Sequence, residues 1–306
     1  MAALIAAVRS HWQTDEDLEI TLEANPSSAE AGRFRDFRAA GVNRLSIGVQ
    51  SFRAEALAFL GRRHSSAEAR EAIAMAAEHF ARFAFDMMYG LPDQSPEDWR
   101  RDLEETLELA GDHLSLYQLT IEPGTAFYTD GVKAAGEDTG AELFEITQDV
   151  LEGAGLAAYE VSNHARPGAE SRHNLNIWRG GDYIGVGPGA HGRLTKDFRA
   201  EALHQIHAPE RWLRKTEDAG HGTAKRRPLS PHIRAEEILM MGLRLTEGIS
   251  RDRFAAVTGH DLDGAVGRDG LRRMVEGGFL EADEAGLRAT NAGRLCLNEV
   301  LRQLLA

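Results

Sequence analysis

Cysteine is almost absent: Cys296 is the only one in 306 residues. That excludes an internal disulfide and any all-cysteine metal cluster built from these residues. Within Gly293-Arg294-Leu295-Cys296-Leu297, an amphipathic stretch, it reads as a small core residue. Long apolar runs are missing too, since no stretch approaches the roughly 20 residues a membrane helix needs. The opening Ala2-Ala3-Leu4-Ile5-Ala6-Ala7-Val8 has no basic segment before it and no cleavage-like site after it. It reads as a helix start, not a signal peptide. A cytoplasmic protein without membrane insertion is therefore expected. Basic charge is in deficit: 35 Lys and Arg against 48 Asp and Glu leave a net charge of −13. Such a surface repels phosphate backbones, so no nucleic-acid partner is expected.

The rest is an ordinary globular mix, long enough for one large α/β domain and a small appendage. The first two thirds repeat one unit: an apolar strand, a polar residue at its end, a short loop and a capped helix. Ile20 to Asn25 is followed by Pro26 and the capping box Ser27-Ser28-Ala29-Glu30, which opens a helix toward Phe34 and Phe37. Arg44 to Gln50 is the next strand, with Ser65-Ser66-Ala67-Glu68 capping a later helix. Phe83 to Gly90 is the third, followed by Ser95-Pro96-Glu97-Asp98 with proline at the first helical position. Leu114 to Ile121 is the fourth, after which Leu143, Ile146, Val150 and Leu151 mark a helix by their spacing.

Strands alternating with helices predict βαβ units and a parallel sheet. Several strands read as apolar on both faces, as a helix-covered sheet requires. In such folds chemistry gathers at the carboxyl ends of the strands. Here those ends carry Glu23, Gln50, Asp86, and Thr120 or Glu122. A cap or a loop tie accounts for any one of them singly; four in order suggest a ring around a shared mouth. From Tyr159 to Leu194 the texture changes to Gly, Asn, His and aromatic residues, with short strands expected at 158–162 and 183–186. Residues 197–230 read as a polar connection that includes a helix near Glu210–Thr216. A helical unit follows from 231, with helices near His232–Leu245, Arg251–Thr258, Gly270–Glu276 and Gly293–Leu305. A hairpin between the last two makes it similar to a winged helix, expected to pack or to act as a lid.

Several strings together are specific. Leu22-Glu23-Ala24-Asn25-Pro26, Gly41-Val42-Asn43-Arg44-Leu45-Ser46-Ile47-Gly48-Val49-Gln50-Ser51-Phe52, Leu60-Gly61-Arg62 and Asp86-Met87-Met88-Tyr89-Gly90-Leu91-Pro92 resemble the barrel signatures of the oxygen-independent coproporphyrinogen III oxidase family. That family is a radical S-adenosylmethionine (SAM) group. His173-Asn174-Leu175-Asn176-Ile177-Trp178 and Tyr183-Ile184-Gly185-Val186-Gly187-Pro188-Gly189-Ala190-His191-Gly192 resemble its heme-chaperone branch. The resemblance covers nearly the whole chain. It implies α/β architecture: a partial (β/α) barrel of the radical SAM type over 1–196, a connection over 197–230 and a small helical, winged-helix-like domain over 231–306. It also implies SAM and a [4Fe–4S] cluster as cofactors, the cluster being held by a Cys-x-x-x-Cys-x-x-Cys loop with three thiolates so that one iron stays open for SAM.

That loop and the family's Gly-rich SAM loop do not occur here. Ala2 to Trp12 is similar to the helix after the family's second strand, so the chain is expected to begin about two βα units into the barrel. Met1 is then a start placed too far downstream, a deliberate boundary or a genuine short product, the first being the simplest. As it stands, the chain is expected to hold no cluster, to bind no other metal and to be inactive in radical chemistry. A barrel opened in this way leaves a strand edge, which predicts a homo-oligomer or coverage by the first helix.

By the resemblance, Glu23, Gln50, Arg62, Asp86, Thr120 and His191 fall on SAM-contacting positions. His173, Asn174 and Trp178 are candidates for heme, with an imidazole beside an indole suiting axial ligation and stacking; a structural His–Asn pair and a core tryptophan is the competing reading. Ile177 stands where the branch usually has tyrosine. His164 is a second candidate ligand, and Arg166 or Arg172 could meet propionates. The expected partners are small molecules: SAM, and heme or coproporphyrinogen. Two other functions stay open, a true oxidase that converts propionates to vinyls and a metal-dependent barrel lyase or hydrolase using Glu23, Asp86 and Glu122.

Overall fold

The computed structural model describes residues 1–27 and 31–305. The capping box read at Ser27-Ser28-Ala29-Glu30 falls on residues 28–30, outside the described residues. Packing divides the chain into two compact units, Met1–Glu170 and Ser171–Ala306.

The first unit runs α1 (Ala2–His11), β1 (Thr21–Ala24), α2 (Phe34–Ala39), β2 (Arg44–Gln50), α3 (Ala54–Phe59), α4 (Ser66–His79), β3 (Arg82–Tyr89), α5 (Pro96–Leu109), β4 (His113–Gln118), α6 (Ala126–Thr129), α7 (Glu137–Gly153), β5 (Ala157–Ala158) and β6 (Asn163–Ala165). The sheet order is β1-β2-β3-β4-β6-β5. Its first four strands are parallel, the order of a partial (β/α) barrel, and the last two turn back antiparallel. Both downstream capping boxes form: Ser65 with Glu68 opens α4, and Ser95 with Asp98 opens α5 behind Pro96. Each satisfies backbone N–H groups that the first helical turn would leave unbonded.

The strands are not apolar on both faces, as their composition suggested. Leu45, Ile47 and Val49 of β2, Phe85 and Met87 of β3, and Leu114 and Leu116 of β4 are buried in one core with Phe34, Ile73, Trp99, Leu103 and Leu143 from the helices. The alternate positions Ser46, Gly48, Asp86 and Met88 are only half-buried. Strand alternation thus sends apolar groups to the helices and small or polar groups to the opposite face. That second face is the one available to a ligand.

β1 stands at one end of the sheet order. Ile5 of α1 packs against the core, whereas Met1, Leu4, Val8 and Trp12 are exposed.

The second unit runs α8 (Arg172–Trp178), β7 (His191–Lys196), β8 (Arg199–Gln205), α9 (Pro209–Ala219), β9 (Thr223–Pro228), α10 (Pro231–Gly242), β10 (Ile249–Ser250), α11 (Arg251–Thr258), α12 (Arg268–Glu276), β11 (Leu280–Ala282), β12 (Gly286–Ala289), α13 (Asn291–Leu295) and α14 (Leu297–Leu304). Residues 197–230, expected as a connection, instead contribute to an antiparallel sheet β7-β8-β9, with α9 between its last two strands. Beyond it, α10, α11 and α12 and the small sheet β10-β12-β11 give the three helices and hairpin expected there. The final helix is split at Cys296, whose backbone leaves the helical region. Cys296 is half-buried at this joint, with its thiol donating to the Ala292 carbonyl, rather than sitting in the core. Among the described residues, no helix is long and apolar enough to cross a membrane.

Candidate functional site

Four of the expected residues meet. Glu23, Gln50, Arg62 and Asp86 line a cavity of about 320 Å³ at the carboxyl ends of β1, β2 and β3, together with Asn25, Ser46 and Gly48. Strand register places them there. Glu23 pairs with Ser46 across β1 and β2, and Asp86 pairs with Ser115 across β3 and β4. Arg62 arrives from the turn after α3, where its backbone N–H closes on the Leu57 carbonyl at 2.9 Å. The next turn is tied to the end of β2 by His64, whose Nε2 lies 3.0 Å from the Val49 carbonyl oxygen.

Gln50 is held unusually. It is buried, with φ at 73°, the left-handed region that non-glycine residues seldom occupy. The β2–β3 register shifts between Ile47 and Gln50, a bulge of the sort that re-aims a side chain beside a site. A β-branched residue fits this backbone worst and glycine best. Gln50→Val is therefore expected to lose roughly 2 kcal/mol of stability, with Gln50→Gly staying within about 1 kcal/mol of wild type. Urea unfolding checks this, and equal losses from both would refute a left-handed Gln50.

The carboxylates are electrostatically loaded. Burial pushes the Asp86 carboxyl up to about 6; Glu23 adds to the rise, and a hydrogen bond with Ser115 and the Arg44 and Arg62 charges oppose it. Tyr117, next on that face of β4, is exposed at 39%, yet local desolvation of its hydroxyl together with Asp86, Glu160 and Glu23 raises it to about 12. Ser115 donates to Asn163 Oδ1 at 2.9 Å, and Asn163 Nδ2 donates to Glu160 Oε1 at 2.6 Å. Ser115, Asn163 and the fully buried Glu160 thus form a hydrogen-bonded chain beside Asp86, whose strand partner is Ser115. Sequence reading missed Ser115, Tyr117, Asn163 and Glu160. The available signals were the Ser115/Tyr117 alternation in β4 and three polar residues, Glu160, Ser162 and Asn163, close together around a short strand.

Other expectations fare differently. β4 ends at Gln118, so Thr120 and Glu122 lie on the exposed loop beyond it and do not line the cavity. The metal reading built on Glu23, Asp86 and Glu122 thereby loses one of its three carboxylates. Among the described residues, no group of three or more His, Cys, Asp or Glu side chains is placed to hold a metal ion. His164 is 1% exposed, with its pKa lowered to about 3 by burial. A neutral, enclosed imidazole of this kind is not open to a bulky ligand.

His191 belongs to the second unit, at the start of β7, stacked on His204 with ring centroids 4.2 Å apart. The glycine-rich loop before it doubles back so tightly that a Cβ on Gly185 would sit 2.0 Å from the His191 carbonyl oxygen; only glycine fits that approach. His173 is exposed on α8, and Trp178 is half-buried at its C-terminal end. At 3.6 residues per turn, five positions place them about 140° apart around the helix. They are not neighbours on one face. The Arg244 guanidinium instead lies over the indole, 4.5 Å from the ring centroid, and among the described residues the buried Nε1 has no hydrogen-bond partner. Asn174 donates its backbone N–H to Ser171, the N-cap of α8.

Comparison with known proteins places this architecture. The Radical SAM superfamily description matches residues 1–106, and the HemN C-terminal domain description matches residues 229–296. The mitochondrial radical S-adenosyl methionine domain-containing protein 1 of Bos taurus is 41% identical over 319 residues, covering 100% of this chain and 72% of the bovine protein. The heme chaperone HemW of Escherichia coli K12 is 40% identical over 308 residues, covering 100% of this chain and 80% of that protein. Among solved structures, the coproporphyrinogen III oxidase HemN of Escherichia coli superposes with a TM-score of 0.79 over 99% of this chain and 73% of its own, at 20% identity; that likeness shows the fold. The matched domains and the identity to HemW place this chain in the HemN-like radical SAM family, within its heme-chaperone branch.

Proposed function

We propose that the first unit binds SAM in the strand-end cavity and that the chain handles heme as cargo. The observation that carries the SAM reading is the convergence of Glu23, Gln50, Arg62 and Asp86 on one cavity. SAM presents a ribose diol, an ammonium, a carboxylate and a sulfonium. Carboxylates accept from diol and ammonium groups and favour the sulfonium's charge, while Arg62 offers a planar pair of donors to the carboxylate. Gln50 supplies both a donor and an acceptor. The donor set fits the ligand.

The family's [4Fe–4S] cluster supplies, when bound, the electron that cleaves SAM. The residues of this chain do not fit it: three thiolates are required, and Cys296, the only cysteine, lies in the second unit with its thiol on the Ala292 carbonyl. Binding is therefore the chemistry assigned to these 306 residues. Anaerobic incubation with iron and sulfide is expected to leave the chain without thiolate-to-iron absorption. Equilibrium dialysis is expected to show one saturable SAM site that Arg62→Ala weakens about tenfold or more. Absence of saturable binding overturns the SAM reading.

For heme, the relatives named heme chaperones and the exposed His173 support axial ligation from α8. With Arg244 over one face of Trp178, stacking of that indole on the same ring is not part of the proposal. Heme titration is expected to give a Soret shift that His173→Ala removes; a shift that survives the substitution counts against this ligand.

A further inference from the structure

The second unit contains a cavity that neither the SAM nor the heme reading uses. It measures about 450 Å³ and is an open cleft within that unit, lined by α8, α10, α11 and the β10–β12 edge, a size ordinary for small-molecule sites. Its apolar wall is Trp178, Ile238, Ile249, Phe254, Val257 and Leu287. Three arginines and one carboxylate, Glu247, also line it.

The three are not equivalent. Arg179 is held by Glu247 through two hydrogen bonds of 2.6 and 2.7 Å, and Arg288 is held by Glu281 and Asp283. Arg253 is different. Its Nε donates to the Arg179 carbonyl at 2.9 Å, and among the described residues no carboxylate lies within ion-pair distance of it. Partial desolvation of this otherwise exposed side chain, and then the Arg179 charge, disfavour the Arg253 cation, and Glu247 opposes them. The exposed Arg253 guanidinium, whose two Nη groups have no protein partner among the described residues, is open to an anion at the cavity rim. The planar fork favours a carboxylate, and the adjoining wall favours an apolar ring attached to it.

We propose that this cavity binds a small organic carboxylate with an apolar ring, the ring against the Trp178 and Phe254 wall and the carboxylate on the Nη pair of Arg253. Two sources share that chemistry: a free aromatic acid and a propionate-bearing edge of a tetrapyrrole. The site is independent of the SAM cavity, which lies in the other unit, and it needs no iron.

Calorimetric titration of the whole chain with indole-3-propionate, iron-free protoporphyrin IX and protoporphyrin IX dimethyl ester tests it. Binding of either acid supports the proposal. If only indole-3-propionate binds, the occupant is a free aromatic acid; if protoporphyrin IX binds, the tetrapyrrole edge is included and the ester should bind about tenfold or more weakly. Arg253→Gln should weaken the acids about tenfold or more without moving the thermal midpoint, and Arg253→Lys should recover part of the loss. Val257→Trp, which fills the cavity, should weaken acid and ester alike. His173→Ala should change none of these affinities, so failure here is distinguishable from failure of the heme reading. No binding of either acid, or wild-type affinity in Arg253→Gln, overturns the proposal.

Discussion

Asp86→Asn is expected to make the protein more stable at neutral pH while weakening SAM binding roughly 10- to 100-fold. The first effect follows from proton linkage. The folded-state carboxyl sits at about 6 against an unfolded value of 3.8, with burial as the main cause. The folded chain therefore holds this proton more tightly than the unfolded chain does. The stability tied to the proton is fully present below about 3.8 and is lost as the pH rises through about 6. A rise of this size corresponds to something on the order of 3 kcal/mol, carried as a penalty at neutral pH. Asparagine keeps the shape and carries no charge, so it removes that penalty. The second effect follows because the ionised carboxylate is the better acceptor for a ligand's hydroxyl or ammonium groups, and a hydrogen bond to a charged group contributes about 1.5–3 kcal/mol. For wild type, SAM affinity should accordingly rise with pH through about 6, and the variant should show no such rise. Thermal midpoints of both proteins, followed from mildly acidic to mildly alkaline pH with dialysis at the same points, check it. Parallel stability curves would mean that Asp86 is not perturbed as its surroundings require.

Such a penalty is tolerated where function needs it, and it marks where local sequence rules stop being informative. Much of the scaffold was legible. β2 spans Arg44–Gln50 as read, the caps at Ser65 and Ser95 open their helices, and Arg251–Thr258 is helical as expected. These elements announce themselves through apolar runs, boxes and spacing. The sheet β7-β8-β9 did not, because its strands read His-Gly-Arg-Leu-Thr-Lys, Arg-Ala-Glu-Ala-Leu-His-Gln and Thr-Ala-Lys-Arg-Arg-Pro and are largely exposed or half-buried. No two-residue apolar period survives in them.

Of the residues that line the strand-end cavity, Glu23, Gln50 and Asp86 were singled out by their position at strand ends, and Arg62 by the family resemblance. Thr120 failed because a strand end was set about three residues too late, the usual size of a boundary error. Ser115 and Tyr117 lie inside β4 on the face that Asp86 occupies, and a reading confined to strand ends passes over them. Gln50's left-handed backbone and the separation of His173 from Trp178 around α8 are three-dimensional facts. A string of adjacent letters, His-Asn-x-x-Ile-Trp, suggested proximity that helical geometry denies.

Trp99→Ala is expected to be the most damaging single change to the first unit's scaffold, at about 3–5 kcal/mol. Trp99 is fully buried on α5 and stacks on Tyr89 of β3 with ring centroids 5.1 Å apart and planes 24° from parallel. Its Nε1 donates to Thr147 of α7 at 2.8 Å. One side chain therefore joins two helices to the strand that carries Asp86. Alanine leaves a cavity among all three, in a protein class whose whole stability is about 5–15 kcal/mol. Trp99→Phe keeps most of the ring and removes the hydrogen bond. Thr147 still donates to the Leu143 carbonyl at 2.7 Å, so the added polar cost should be only about 1 kcal/mol. Urea midpoints should order wild type, Phe, Ala. Because Trp99 lies on the helix side of the sheet, SAM affinity measured well below each variant's unfolding midpoint should stay within about twofold of wild type. A Trp99→Phe variant that folds fully yet loses SAM binding would show that the two faces of the sheet are coupled, and that packing behind β3 sets the aim of Asp86 in front of it.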